Sequence, residues 1–146
     1  MPAEPIEPMV MLSASPTAKG ATDRFTGDVW VDTITAGTGA GTATLAIVRF
    51  SPSARTAWHC HEHGQTLHVT DGCGIVQSRG GHPIVMGAGD TVHTPPGIWH
   101  WHGAAPGHFM THLAISVAGG NVDWGDHVSD DEYLAATAGD SEGSTR

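Results

Sequence analysis

Positive charge is scarce in this chain: six lysines and arginines stand against fifteen aspartates and glutamates, a formal net charge of −9. With no basic patch to meet phosphates, the composition argues against a nucleic-acid partner or an anionic membrane surface and leaves small neutral molecules as the natural ligands. Cysteine is scarce too. Cys60 and Cys73 do not make the disulfide framework of a small secreted domain, so the expected compartment is reducing and cytoplasmic. Long apolar runs are missing, and Met9-Val10-Met11-Leu12 is too short for a signal sequence core or a membrane span.

What the chain does contain is punctuation. Twenty glycines and nine prolines divide 146 residues into short β-branched and apolar units, which predicts one all-β domain, a sandwich or small barrel without crossover helices. Residues 1–22, with Pro2, Pro5, Pro8 and Pro16, read as a flexible arm, able to add a strand to a neighbouring subunit. A barrel domain over 23–128 follows. Its expected strands include Val29 to Ile34, Thr42 to Phe50 with both faces buried, Thr66 to Thr70, Gly74 to Ser78, Pro83 to Met86, Thr91 to Thr94, His100 to His102 and Met110 to Val117. Turns are expected at Asp71-Gly72, Gly80-Gly81, Gly87 to Gly89 and Gly103 to Gly107. Residues 129–146 read as a short helix and a frayed tail. Ser129-Asp130-Asp131-Glu132 matches a capping box, and Tyr133 and Leu134 supply a packing face.

Ten of the eleven histidines fall between His59 and His112. On a strand the two-residue period places His59 and His61 on one face, aimed at a single point, with Cys60 opposite. Gln65 follows with a side-chain carbonyl, and His100 arrives from a distant strand. His102 shares the parity of His100, so it faces the interior, where a neutral imidazole is suited to moving protons near pH 7 as a general base or to orienting a ligand by hydrogen bonding. His112 is a candidate second interior imidazole. The remaining histidines, His63, His68, His82, His93, His108 and His127, take surface or turn roles. Trp58, Trp99 and Trp101 alternate against the histidines and fill the other side of the sheet or a subunit interface rather than stacking on a substrate. Arg55 either reaches the site or pairs with an acid.

The spacing His59-X-His61, Gln65, Gly72, followed by Gly89, Pro95-X-Gly97 and His100, resembles the two-motif signature of the cupin superfamily over residues 42–117. That resemblance implies a double-stranded β-helix, a jelly-roll barrel, holding a divalent metal at His59, His61, Gln65 and His100. Nitrogen and oxygen donors without thiolate suit Mn, Fe, Ni, Co or Zn. Three positions depart from the pattern: Ser53 replaces glycine, Gln65 replaces glutamate and Ala104 replaces asparagine. Ser53 and Ala104 bear on turns. Gln65 leaves a bound ion its full positive charge, making it a stronger Lewis acid.

Further stretches narrow the resemblance. Asp23 to Gly27, Ala54 to His59, Gly64 to Leu67, His100 to Pro106, Met110 to Ile115, Val122 to Trp124 and His127 to Asp130 are similar to the small bacterial monocupins that include manganese-dependent (R)-selective hydroxynitrile lyases. On that resemblance the ion is Mn, His102 is the base and His112 assists in reversible cleavage of an aromatic cyanohydrin to aldehyde and cyanide. A cupin dioxygenase or a non-catalytic small-molecule or metal-binding cupin are the alternatives. Cupins of this size commonly dimerise through barrel faces or swapped N-terminal strands, so a homodimer or larger homo-oligomer is expected.

Overall fold

The computed structural model describes residues 7–39 and 41–138. The first six residues of the expected arm and the expected frayed tail from Gly139 lie outside them. The described chain forms twelve strands and one helix: β1 (Ala18–Lys19), β2 (Phe25–Thr26), β3 (Val29–Ala36), β4 (Ala43–Phe50), β5 (Arg55–Thr56), β6 (His59–His61), β7 (Gln65–Ser78), β8 (Ile84–Gly87), β9 (Thr91–Thr94), β10 (His100–Ala104), β11 (Met110–Val117), β12 (Val122–Trp124) and α1 (Asp130–Thr137). All the strand pairs are antiparallel, and the main path runs β1-β3-β4-β11-β7-β10-β5-β2. The path curls into a barrel with two walls. One holds β1, β3, β4, β11, β9 and the first half of β7; the other holds the second half of β7 with β8, β10, β6, β12, β5 and β2.

Strand β7 joins the two walls. Asp71-Gly72, expected to be a hairpin turn, is a corner inside one continuous strand: residues up to Gly72 pair with β11, and Gly74 onward pair with β10. Glycine is required there on two counts. Gly72 has φ +74°, and a Cβ on it would meet the Phe109 carbonyl oxygen at 2.0 Å. Ser53, where the cupin pattern has glycine, also adopts a left-handed φ of 69°, a conformation that strains a residue carrying a Cβ.

The interior holds Val29, Val48, Phe50, Leu67, Val69, Val76 and Met110, which pack as one cluster. Strand β4 is not buried on both faces as its apolar run suggests. Its register sets Val48 opposite His112 and Ala46 opposite Ala114 on the inside, and Ile47 opposite Leu113 and Leu45 opposite Ile115 on the outside, where these side chains are only half buried. The outside of the second wall is covered instead. Trp58, Ile75, Trp101, Val128, Tyr133 and Ala136 form a second buried cluster beneath α1.

The helix starts as its sequence predicts. The Ser129 hydroxyl accepts from the Glu132 amide while the Glu132 carboxylate accepts from the Ser129 amide. Its packing face differs from the expectation, for Tyr133, Ala136 and Thr137 are buried whereas Leu134 is 61% exposed. Arg55 pairs with an acid and stays out of the site. Its guanidinium donates to the Val128 carbonyl at 3.1 and 2.9 Å and to Asp130 at 2.8 Å, and it stacks over the Tyr133 ring. Among the described residues, no helix is long and apolar enough to cross a membrane.

Candidate metal centre and active site

Strands β6 and β10 run side by side with His59 opposite His100, so their alternation brings three imidazoles to one point. The ligating atoms of His59, His61 and His100 lie within 4.8 Å of one another, a group that could hold a metal ion. Two of the rings are oriented from behind. His59 Nδ1 lies 2.9 Å from the Ala57 carbonyl and His100 Nδ1 lies 2.9 Å from the Ile98 carbonyl. A carbonyl only accepts, so each Nδ1 carries the proton and each Nε2 presents a bare lone pair inward. The Gly97 amide also donates to the His61 carbonyl at 3.0 Å, tying the two histidine segments together.

Gln65, the first residue of β7, sits beside His61 and is buried. Its Oε1, together with the Nε2 atoms of His61 and His100, is buried without any hydrogen-bond partner. Native proteins rarely leave such atoms orphaned, and several in one cluster mark a place where something else binds. A divalent cation fits this donor set: imidazole nitrogens plus one neutral amide oxygen, with no thiolate.

His102 and His112 lie deeper. His112 Nε2 is 3.1 Å from His102 Nδ1, both rings pack against Phe50, and His102 Nε2 is buried and unpartnered. His102 is 5.2 Å, centroid to centroid, from the His59 ring. The Thr56 hydroxyl accepts from the His102 amide and fixes that backbone.

Burial sets the protonation of all five rings. Loss of solvent pulls His59 down to about 3, with the neighbouring His100 adding to it. His61 and His112 each fall to about 4 for the same first reason, and His100 is lowered. His102, entirely enclosed among other imidazoles, is held well below its ordinary value. The interior imidazole expected from the sequence to titrate near pH 7 is therefore firmly neutral, because enclosure disfavours its charged form.

His59, His61, Gln65, His102 and His112 line a cavity of about 300 Å³ whose other walls are mostly apolar, among them Phe25, Val31, Ala46, Val48, Ala114 and Trp124, with Thr56 and Arg24 the polar exceptions. Trp124 stacks on His59 at 4.6 Å and 22°. Sequence reasoning overlooked Trp124, Phe25 and Arg24 as site residues. They reach the cavity through β12 pairing with β6 and β2 pairing with β5, and no local pattern announces either contact. The other histidines are placed as expected: His63, His82, His93, His108 and His127 are exposed, and His68 is half buried against Thr91. Trp58 and Trp101 lie in the outer cluster, with Trp99 packed against it.

The sequence pattern of the Cupin domain matches residues 46–115. Over 119 residues, 80% of this chain and 91% of the relative, the sequence is 48% identical to an (R)-mandelonitrile lyase of Granulicella tundricola. A cupin-like protein of Thermotoga maritima superposes with a TM-score of 0.80 at 40% identity, covering 90% of this chain and 99% of that one. A polyketide cyclase of Streptomyces resistomycificus shares the fold at 21% identity, with a TM-score of 0.61 over 86% of this chain and 91% of its own.

Proposed function

This chain belongs to the cupin family, and from that premise we propose that it is a metal-dependent lyase that reversibly cleaves an aromatic cyanohydrin of the mandelonitrile type to aldehyde and cyanide. The observation that carries this reading is the orphaned Nε2 of His102, buried beside the three-histidine group at the wall of an apolar cavity. The 48% identity to a mandelonitrile lyase supplies the substrate class. His59, His61, Gln65 and His100 would hold the ion, manganese on the resemblance to that group. When bound there, a divalent cation supplies electrostatic stabilisation to the anion formed in the reaction.

The chain's own groups handle the proton. For His102 Nε2 to accept, its proton must sit on Nδ1 and be donated to His112 Nε2, 3.1 Å away. His102 removes the cyanohydrin hydroxyl proton, the electron pair of the C–C bond departs with cyanide, and the imidazolium returns the proton to yield hydrogen cyanide. An imidazolium is costly in this enclosure, and His112 spreads its charge along the Nδ1–H to Nε2 bond. The aryl group rests against Phe25, Val31 and Val48, walls that exclude water.

A homodimer in the cytoplasm completes the reading. The outer face of the first wall carries Leu45, Ile47, Leu113 and Ile115, all half buried, flanked by Trp30 and Ile34 at 43% and 44% exposure. An apolar sheet patch of this kind, bordered by the Asp32–Arg49 ion pair, is suited to a second copy. Met9 to Leu12 are exposed in the arm beside it in sequence and would add to such an interface.

The test is metal analysis of protein purified without added metal, followed by mandelonitrile cleavage before and after chelation. The expected result is bound manganese and chelator-sensitive release of benzaldehyde. Stoichiometric metal without cleavage would rule out the lyase reading. Size-exclusion chromatography should give at least twice the mass of one chain, and elution as a monomer would contradict the dimer.

A further inference from the structure

The inner cavity has one permanent charge in its lining, and that charge belongs to Arg24. Lys19, Arg49 and Arg55 each have a carboxylate partner, whereas among the described residues no carboxylate forms an ion pair with Arg24. What it does contact is aromatic. Its guanidinium lies over Trp124, 5.2 Å from the ring centroid, and Trp124 in turn stacks on His59. The Arg24 carbonyl accepts from the Ala57 amide at 2.8 Å, so the backbone beneath this side chain is tied to the segment that leads into the histidine cluster.

Stacking uses the face of a guanidinium and leaves its edge free. That edge is a planar fork of N–H donors shaped for a carboxylate. Arg24 is exposed, so it stands at the solvent side of the cavity, two ring contacts from His59. Apart from Thr56, the walls beyond the histidines and Gln65 are apolar, and the lining contains no acid at all. The cavity therefore asks for a ligand with a flat apolar body, a reacting group at the histidine end and a negative charge at the mouth. One fork, with no second cation or cluster of amides beside it, suits a singly charged carboxylate better than a phosphate.

Accepting this cavity as the substrate site of the lyase read above, we propose that Arg24 is a specificity-determining residue that selects substrates carrying a carboxylate at the end distal to the reacting carbon. The substrate class is the carboxylated aryl aldehyde and its adducts, and mandelonitrile is the uncharged core of that class.

Binding can be read without turnover. Dissociation constants of para-(hydroxymethyl)benzoate and benzyl alcohol, measured by NMR titration on the protein as purified, isolate the carboxylate. The acid should bind about tenfold tighter, and in Arg24→Gln the ratio of the two constants should collapse to about one. In the unaltered protein the preference should shrink as salt rises, because an exposed pair is screened. That second measurement needs no variant, so a misfolded Arg24→Gln does not blunt the test. Equal binding of the two ligands, or a preference that persists in Arg24→Gln because the carboxylate seeks the histidine end, overturns the proposal. Failure of the lyase reading would show separately, as absent mandelonitrile cleavage with the binding ratio intact.

Discussion

The two faces of strand β10 treat buried polar atoms in opposite ways. Outward, Trp101 donates its Nε1–H to Gln77, the Tyr133 hydroxyl donates to the Ala104 carbonyl, and Arg55 reaches both Val128 and Asp130. Inward, His100 Nε2 and His102 Nε2 have no partner, nor do His61 Nε2 and Gln65 Oε1 nearby. Leaving one such atom unmatched costs about 1–3 kcal/mol. The outer face is arranged for stability, and the inner face keeps its polar atoms available to a ligand.

The substitution that breaks this contrast most completely is His59→Ala. It removes one of the proposed metal donors, so bound metal and cyanohydrin cleavage should both fall to background. Metal retained at the original stoichiometry would show that the ion sits elsewhere. His102→Ala divides the inner face further: it should keep the metal yet lose about 10²- to 10⁴-fold in cleavage rate, the usual contribution of a positioned base. Cleavage at the original rate would remove His102 from the role of base.

Acid provides the next test. His59, His61 and His112 have folded values of about 3, 4 and 4 against an ordinary 6.5, lowered chiefly by burial. The unfolded chain therefore takes up protons that the fold refuses, and the stability these groups supply is complete above about pH 6.5 and lost as pH falls below it. The denaturation midpoint of metal-free protein should drop between pH 7 and pH 5, above the carboxylate range. A level profile there would mean that the imidazoles are solvated in solution.

How much of this was legible beforehand depends on the range of the contact. The parity of His59, His61, His100 and His102 is a property of single strands, and the structure places them as parity predicts. The capping box of α1 is local too. Trp124 and Arg24 were invisible as site residues because Trp124 reaches the cavity through the pairing of β12 with the distant β6, and Arg24 lies just before β2, which pairs with the distant β5. Asp71-Gly72 misled for a related reason: a glycine that permits a left-handed corner between two walls has the same local signature as one that closes a hairpin. The depressed histidines follow from enclosure, and spacing says nothing of how completely a ring is enclosed.

On the outer face, smaller effects are expected, and on stability alone. Tyr133→Phe removes the hydroxyl that donates to the Ala104 carbonyl, which should cost about 1–2 kcal/mol in denaturant unfolding with metal content unaltered. A matching loss of metal would mean that the two faces are coupled through β10.

The smallest effect concerns Leu134, the one large apolar side chain of α1 that the helix turns away from the barrel. Tyr133, Ala136 and Thr137 face inward and are buried, so the apolar side of the helix is set by the ring of Tyr133 and two small neighbours that let the backbone approach Trp101 and Val128. Leu134→Ser removes little surface from contact, because 61% of that residue already meets solvent. Stability should change by less than about 0.5 kcal/mol. A loss of several times that, measured as a shift in the denaturation midpoint at constant slope, would show Leu134 covered in solution, and the outer surface of α1 would then be a candidate face for a neighbouring chain beside the one proposed on the first wall.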